Sequence, residues 1–282
     1  MNVQDIAPNL KLGEGGIWCS KRNASVSYPA HGNDACFEIE EHSFWFQHRN
    51  RSIASIVRGF PPAGALFDLG GGNGFVSLEL QQAGWQSVVV EPGRAGAVNA
   101  RKRGLANVIC ATFEDAGFRA HSMPAAGLFD VLEHIADDGH FLRLLREKLI
   151  PGGRIYLTVP AYPWLWSAED VSAGHFRRYT RASLASVLRQ SGFEVEFASY
   201  IFSPLPLPIL ISRTIPSLLG RRRAENVDQG IREHNSGSKL VDGIFAWELR
   251  RLERKKTIPC GGSCLVVARS NGSPLSPGEC IL

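Results

Sequence analysis

Residues 66–75 read LFDLGGGNGF and run directly into VSLELQQAG at 76–84. Leu66, Phe67 and Leu69 are apolar and stop at a glycine cluster, Gly70, Gly71, Gly72 and Gly74, so the stretch reads as a short buried strand, a glycine turn and a helix. Glycine is required where the backbone turns through positive φ, and where a ligand must approach closer than a Cβ permits. The following helix aims its first N–H groups at the same point. In this order, strand, turn and helix make a nucleotide cradle.

The spacing separates two kinds of nucleotide. A dinucleotide fold carries G-x-G-x-x-G. Here the pattern is acidic-x-G-x-G-x-G, with Asp68 ahead of Gly70, Gly72 and Gly74, and Phe75 stands where the third dinucleotide glycine would fall. An acidic group at that entrance repels a pyrophosphate and suits an ammonium. Val88, Val89 and Val90 then form a second apolar run that ends in Glu91 and Pro92. A carboxylate at the end of a second strand, one helix length past the glycines, can accept hydrogen bonds from both ribose hydroxyls. Val108 to Ala111 reads as a third strand, and Met123 to Phe129 as a fourth. The fourth ends at Asp130, where ligands bind in open α/β sheets. Asp137 or Asp138 opens a helix with Phe141, Leu144, Leu145 and Leu149 on one face; Pro151-Gly152-Gly153 ends it, and Ile155 to Val159 is a fifth strand.

The glycine motif, followed in order by DVLEH at 130–134 and LIPGG at 149–153, resembles the class I S-adenosylmethionine-dependent methyltransferases over most of residues 37–270. The resemblance implies a Rossmann-like, seven-stranded, mostly parallel sheet with helices on both faces and S-adenosylmethionine as cofactor, its methionine part on the first motif. It also implies that the loop after the third strand flanks the adenine. There Thr112 occupies the usual aspartate position, leaving Phe113 to stack on the ring and Glu114, or the backbone, to meet the amino group. Residues 37–60 imply an N-terminal helical cap. Ile53, Ile56 and Val57 recur at helical spacing and pack on the sheet edge, whereas Trp45, Phe46 and Arg49 either do the same or form a lid over the cofactor. The run WLWSAEDVSAGHFRRY at 164–179 resembles the same branch of the family and follows the fifth strand, where loops carry function. Trp164, Trp166, Asp170, Arg177, Arg178 and Tyr179 are its candidate substrate contacts; the bland alternative is that Asp170 and an arginine merely pin the loop.

The rest of the chain bounds the answer. With 282 residues, 44% hydrophobic and 21% charged, it has the composition of a globular protein with one core domain and additions. A net charge of +4, with basic residues scattered except at Arg221–Arg223 and Arg250–Lys256, argues against nucleic acid as partner. Six cysteines show no C-x-x-C pair and no histidine at zinc spacing, so they read as reduced thiols, and no metal site is assigned. No signal peptide is read, which makes the cytoplasm the default location. Residues 1–36 read as flexible or loosely packed. Residues 61–200 form the cofactor-binding core, with Thr180 capping a helix that Gly192 ends and a sixth strand at Phe193 to Tyr200. Residues 201–256 are a helical insertion whose last helix places Leu240, Ile244, Trp247 and Leu252 near one face. Residues 257–270 carry the final strand, and 271–282 are a tail. Prolines 204, 206, 208 and 216 disqualify Ile201–Gly220 as a membrane span, so it reads as a substrate-side cap, with membrane-surface contact as the rival.

Methyl transfer from a sulfonium is an in-line displacement in which the protein mainly aligns the reactants. A hydroxyl or amine acceptor also benefits from a base, and His175, then His134, are the candidates; a carboxylate acceptor needs none. The expected activity is methyl transfer to a small-molecule acceptor, at a hydroxyl or carboxylate oxygen ahead of nitrogen or carbon. The rivals are a lipid-linked or saccharide acceptor at the membrane, and a non-catalytic cofactor-binding subunit.

Overall fold

The computed structural model describes residues 3–20, 37, 39–220 and 239–271. Nine strands form one sheet: β1 (Lys11–Leu12), β2 (Trp18–Cys19), β3 (Leu66–Leu69), β4 (Ser87–Val90), β5 (Val108–Cys110), β6 (Met123–Phe129), β7 (Leu149–Pro160), β8 (Phe193–Ile201) and β9 (Ser263–Ser270). Their order is β1-β2-β5-β4-β3-β6-β7-β9-β8. The expected seven strands are all present. β3 pairs in parallel with β4 and β6, and the final strand β9 runs antiparallel to both β7 and β8.

Two extra strands correct the reading of the N-terminus. Within residues 3–20, β2 extends the sheet beyond β5 and β1 pairs back onto it, while Val3, Ala7, Leu10 and Ile17 are buried. Two-residue strands are too short to show an alternating pattern, which is why composition alone suggested looseness. The remainder of that segment, the tail beyond Asn271 and Arg221–Arg223 lie outside the described residues.

Strand alternation builds a core on each face of the sheet. Phe67, Ala126, Leu128, Ile155, Leu157 and Val266 point to one face. That side is covered by helices α4 (Asp138–Lys148) and α5 (Arg181–Gln190), through Leu142, Leu145, Leu184 and Leu188. Leu66, Ala125, Phe129, Tyr156, Leu265 and Val267 point to the other. There they meet α1 (Phe44–Gly59) through Ile53, Ile56 and Val57, α2 (Phe75–Gln82) through Val76 and Leu80, and α6 (Lys239–Glu253). Helix α3 (Arg94–Lys102) seats Ala97 and Ala100 against Val89 and Val108. Pro151-Gly152-Gly153, expected to separate helix from strand, lies inside the long β7, whose pairing with β6 shifts register between Met123 and Ala125.

Helix α6 exists as expected but is rotated relative to the apolar reading. Its buried residues are Phe245, Glu248 and Leu252, while Leu240 and Trp247 face solvent. A glutamate decides the rotation. Glu248 Oε2 accepts from the backbone N–H of Phe202 at 2.9 Å and lies 2.8 Å from His48 Nε2; Oε1 accepts from the Ser203 N–H at 2.6 Å. Hydrogen bonds from His48 and Ser203 outweigh the burial that opposes ionisation and hold Glu248 below the usual carboxylate range. One carboxylate thus joins α1, α6 and the end of β8. The insertion before it, Pro206–Leu218, is helical with one wide π-type turn ahead of Pro216, whose missing N–H breaks the regular ladder. No helix among the described residues is long and apolar enough to cross a membrane.

Removing Glu248 strands a buried histidine and two backbone donors. Glu248→Ala should therefore destabilise the protein by about 3–5 kcal/mol in urea denaturation, whereas Trp247→Ala, one residue away on the exposed face, should cost below about 1 kcal/mol.

Candidate functional site

β3 occupies the middle of the sheet. The chain leaves it outward through β4 and β5, then returns across to β6, so the crevice at the carboxyl ends of β3, β4 and β6 is the topological switch point where open α/β sheets take ligands. Each of these three strands ends in a carboxylate.

The glycine loop spans the crevice. Gly70, Gly72 and Gly74 all have positive φ, at 69°, 51° and 76°. A Cβ on Gly70 would lie 2.8 Å from Val131, and one on Gly74 would lie 2.4 Å from Leu105, so both are closed to any side chain. At Gly72 a Cβ would meet nothing within 4 Å; the glycine is there for its backbone and the space above it. Gly71 packs on the Asp68 carboxyl beneath the loop, with 3.0 Å from its ideal Cβ position to Asp68 Cγ.

Asp68 is buried at the end of β3 and accepts from the Ser77 hydroxyl at 2.8 Å. Burial pushes its pKa up to about 6, against the pull of the Ser77 hydrogen bond and the Arg49 charge. Glu91 accepts from the Gly72 N–H (2.9 Å) through Oε2 and from the Gly93 N–H (2.7 Å) through Oε1. Its burial raises the pKa to about 7 despite those two bonds. Because each carboxylate oxygen has two lone pairs, both oxygens keep a site for a further donor such as a ribose hydroxyl. Pro92 follows, half-buried.

Asp130 ends β6 in a left-handed conformation, φ 59°, of the kind that collects at functional sites. Its Oδ2 lies 2.6 Å from Arg49 Nη1, and its Oδ1 accepts from the Thr158 hydroxyl at 3.1 Å. Arg49 brings α1 to the crevice, with its guanidinium over the rings of Trp45 and Phe46. Trp45 itself is stacked on Phe202, at 5.4 Å between ring centres. Of the two roles left open for this stretch, Arg49 takes the crevice and Trp45 the aromatic core beneath it.

The loop after β5 makes contacts of its own. Thr112 caps a short helix by accepting from the Asp115 N–H at 3.0 Å, Phe113 packs with Phe118 and Phe141, and Glu114 is exposed.

A second cluster lies beyond Asp130. Glu133 is buried, and its Oε2 has no hydrogen-bond partner among the described residues. Burial and the neighbouring Asp130 raise its pKa well above the usual value. His134 and His175, 41 residues apart in sequence, meet edge to face with ring centres 4.7 Å apart. His175 Nδ1 is 2.9 Å from Asp170 Oδ1, the same oxygen that accepts from Arg178 Nε at 2.7 Å. Burial opposes its ionisation, but hydrogen bonds from His175 and Arg178 win and hold the Asp170 pKa down. Burial and the facing His175 lower that of His134.

The candidate substrate residues divide. Asp170, Arg178 and Tyr179 are buried scaffold: Arg178 also reaches the Ala161 carbonyl, and Tyr179 donates its hydroxyl to Asp138 Oδ2 at 2.7 Å. Arg177 pairs with Asp138 at 2.9 Å and bonds the Ala136 carbonyl. The ion pair of the pinning alternative is present between Asp170 and Arg178, at 2.7 Å. Trp164, more than half exposed, stacks on Tyr162 at 5.2 Å between ring centres, and Trp166 is half-buried.

Sequence reasoning missed a clamp on the glycine loop. Asn73 donates to Glu40 Oε1 at 3.3 Å and accepts from Asn99 at 3.1 Å, while Arg103 binds Glu40 at 2.8 Å and Glu41 at 3.0 Å. The available signal was Asn73 itself, the lone non-glycine at 70–74.

Comparison with known proteins agrees with this geometry. The family described as "Methyltransferase domain" matches residues 37–197. No curated protein sequence matches significantly. Among solved structures, a SAM-dependent methyltransferase of Thermotoga maritima is similar at 16% identity, TM-score 0.54, over 86% of this chain and 95% of that one. Another, from Archaeoglobus fulgidus, matches at 16% identity and TM-score 0.51, over 79% and 94%. Phosphoethanolamine N-methyltransferase 2 of Haemonchus contortus, in complex with S-adenosyl-L-methionine, matches at 17% identity and TM-score 0.55, over 87% of this chain but 58% of that one.

The cradle suits this cofactor: its carboxylates complement ammonium and sulfonium charges and have lone pairs free for ribose hydroxyls, and the loop leaves space open above Gly72. Glu91 makes binding pH-dependent. Its raised pKa means that it is protonated below about 7 and then lacks a full carboxylate for the hydroxyls, so affinity for S-adenosylmethionine, measured by titration calorimetry, should weaken about tenfold from pH 8 to pH 6. Glu91→Gln should bind weakly at both pH values and lose that dependence. The chain belongs to the class I S-adenosylmethionine-dependent methyltransferases.

Proposed function

We propose that the enzyme methylates a hydroxyl oxygen of a small molecule in the cytoplasm, with Asp68, Gly70–Gly74, Glu91 and Asp130 around the cofactor, and Trp164 and Trp166 beside the acceptor. The observation that carries this reading is the Asp170–His175–His134 arrangement. Asp170 takes the Nδ1 side of His175, which fixes the ring, and His175, His134 and Glu133 each bring one atom within 4.8 Å of the others. S-adenosylmethionine supplies a methyl group on a sulfonium, and a hydroxyl must lose its proton as it accepts that group. His175 and His134 activate the hydroxyl; a carboxylate acceptor would leave them without work.

The test is a screen of hydroxylated small molecules followed by mass spectrometry, then kinetics on the best acceptor. His175→Ala should lower kcat by about 10²- to 10⁴-fold while leaving the affinity for S-adenosylmethionine unchanged. Loss of cofactor affinity in that variant would overturn the assignment. Cofactor binding without product from any acceptor class would favour a regulatory subunit.

One observation favours a second reading. Leu207, Ile211, Ile215 and Leu218 are exposed at helical spacing along the insertion, whose inner side is tied to the 164–172 loop by Thr214 and Ser217. A lipid-linked acceptor presented at a membrane surface would suit such a stripe, and co-flotation with liposomes would support it.

A further inference from the structure

Three side chains of the second cluster are arranged as ligands are. Glu133, His134 and His175 each offer one atom, and the three atoms lie within 4.8 Å of one another. Metal–ligand bonds of about 2.1 Å in a tetrahedral site set ligand atoms roughly 3.4 Å apart, so a modest inward rotation of half-buried rings completes the geometry. Proximity alone would not argue a site. Two further observations do.

The first is the orphaned oxygen. Glu133 is 1% exposed, and its Oε2 has no partner among the described residues. A buried carboxylate oxygen left unbonded is costly, and so requires an explanation. Its neighbour Asp130 needs none, being held by Arg49 and Thr158. The second is how the rings are held. A metal-binding histidine almost always gives its other ring N–H to a carboxylate or a backbone carbonyl, which fixes the tautomer and turns the remaining lone pair toward the metal. His175 has Asp170 in that role, and His134 has the Gly174 carbonyl. Both rings are held by a second group, and each offers an atom within 4.8 Å of the other ring and of the glutamate.

We propose that Glu133, His134 and His175 bind a divalent transition-metal cation such as Zn²⁺ or Co²⁺, with open positions on the side of the crevice. Two imidazoles and one carboxylate suit such borderline cations; Mg²⁺ and Ca²⁺ demand oxygen. The arrangement deepens the proposed function and rests on it only for its role. A cation there stabilises negative charge on the acceptor oxygen as the hydroxyl proton passes to water. The carbon–oxygen bond then forms as the carbon–sulfur bond breaks, and the sulfur keeps the electron pair. His175 and His134 thereby activate the hydroxyl by holding the metal.

The test uses the full chain, stripped with a chelator and titrated with Co²⁺ alone while its visible absorption is followed, with bound metal counted after dialysis. The wild-type protein should bind about one equivalent. His175→Ala and Glu133→Gln should each bind at least about tenfold more weakly, with S-adenosylmethionine affinity and circular dichroism unchanged. His140→Ala, an exposed histidine on α4, should bind as the wild type does. No binding by the folded wild type overturns the site, as does equal binding by wild type and both variants; Glu133 would then hold a proton in place of a metal. Because the titration contains neither cofactor nor acceptor, its failure leaves methyl transfer standing, and failure of the acceptor reading leaves the metal site standing.

Discussion

Three carboxylates end three adjacent strands, and none can stay buried without a partner. β4, β3 and β6 lie side by side at the centre of the sheet and finish in Glu91, Asp68 and Asp130. Burial raises the pKa of Asp68 and Glu91, and the neighbouring Asp68 charge adds to the rise at Glu91. Each therefore draws donors from a different part of the chain: Glu91 from the glycine loop and the start of α3, Asp68 from α2, Asp130 from α1 and β7. The hydrogen bonds that make the carboxylates tolerable also fix the loop, the cap helix and three strand ends in one frame. What they leave is a crevice with excess negative charge and spare lone pairs, a receptor for a ligand carrying cationic groups and ribose hydroxyls.

Asp170 and Glu248 repeat the device at the edges. Asp170 accepts from the Ser167 backbone N–H and hydroxyl through one oxygen, and from His175 and Arg178 through the other, so a sixteen-residue loop turns around one side chain. Glu248 does the same for α1, α6 and the end of β8. Breaking such a buried pair costs more than making it gains, because the partner left behind remains charged and dry. These residues therefore specify which way an element faces more than how stable it is.

That distinction explains what was legible in the sequence. The glycine turn after β3, the carboxylates that follow β4 and β6, and the positions of the seven core strands along the chain could be read because local chemistry dictates them: positive φ, apolar runs and carboxylates at strand ends. The rotation of α6 could not. Apolar periodicity takes Leu240 and Trp247 inward, and a buried glutamate is recognised only with its three partners, two of them just past β8 and one 200 residues away. The edge strands β1 and β2 were invisible because they are two residues each. The meeting of His175 with Glu133 and His134 depends on a loop closing around Asp170, and spacing along the chain carries no trace of it.

Arg49 couples these parts. It pairs with Asp130, lies over Trp45 and Phe46, and contributes positive charge at Asp68, Glu40 and Glu133. Because it arrives on α1, whose adjacent residue His48 is tied to Glu248, the acidic crevice and the C-terminal insertion share a single helix. A cation entering the crevice would compete with Arg49 for the same carboxylates.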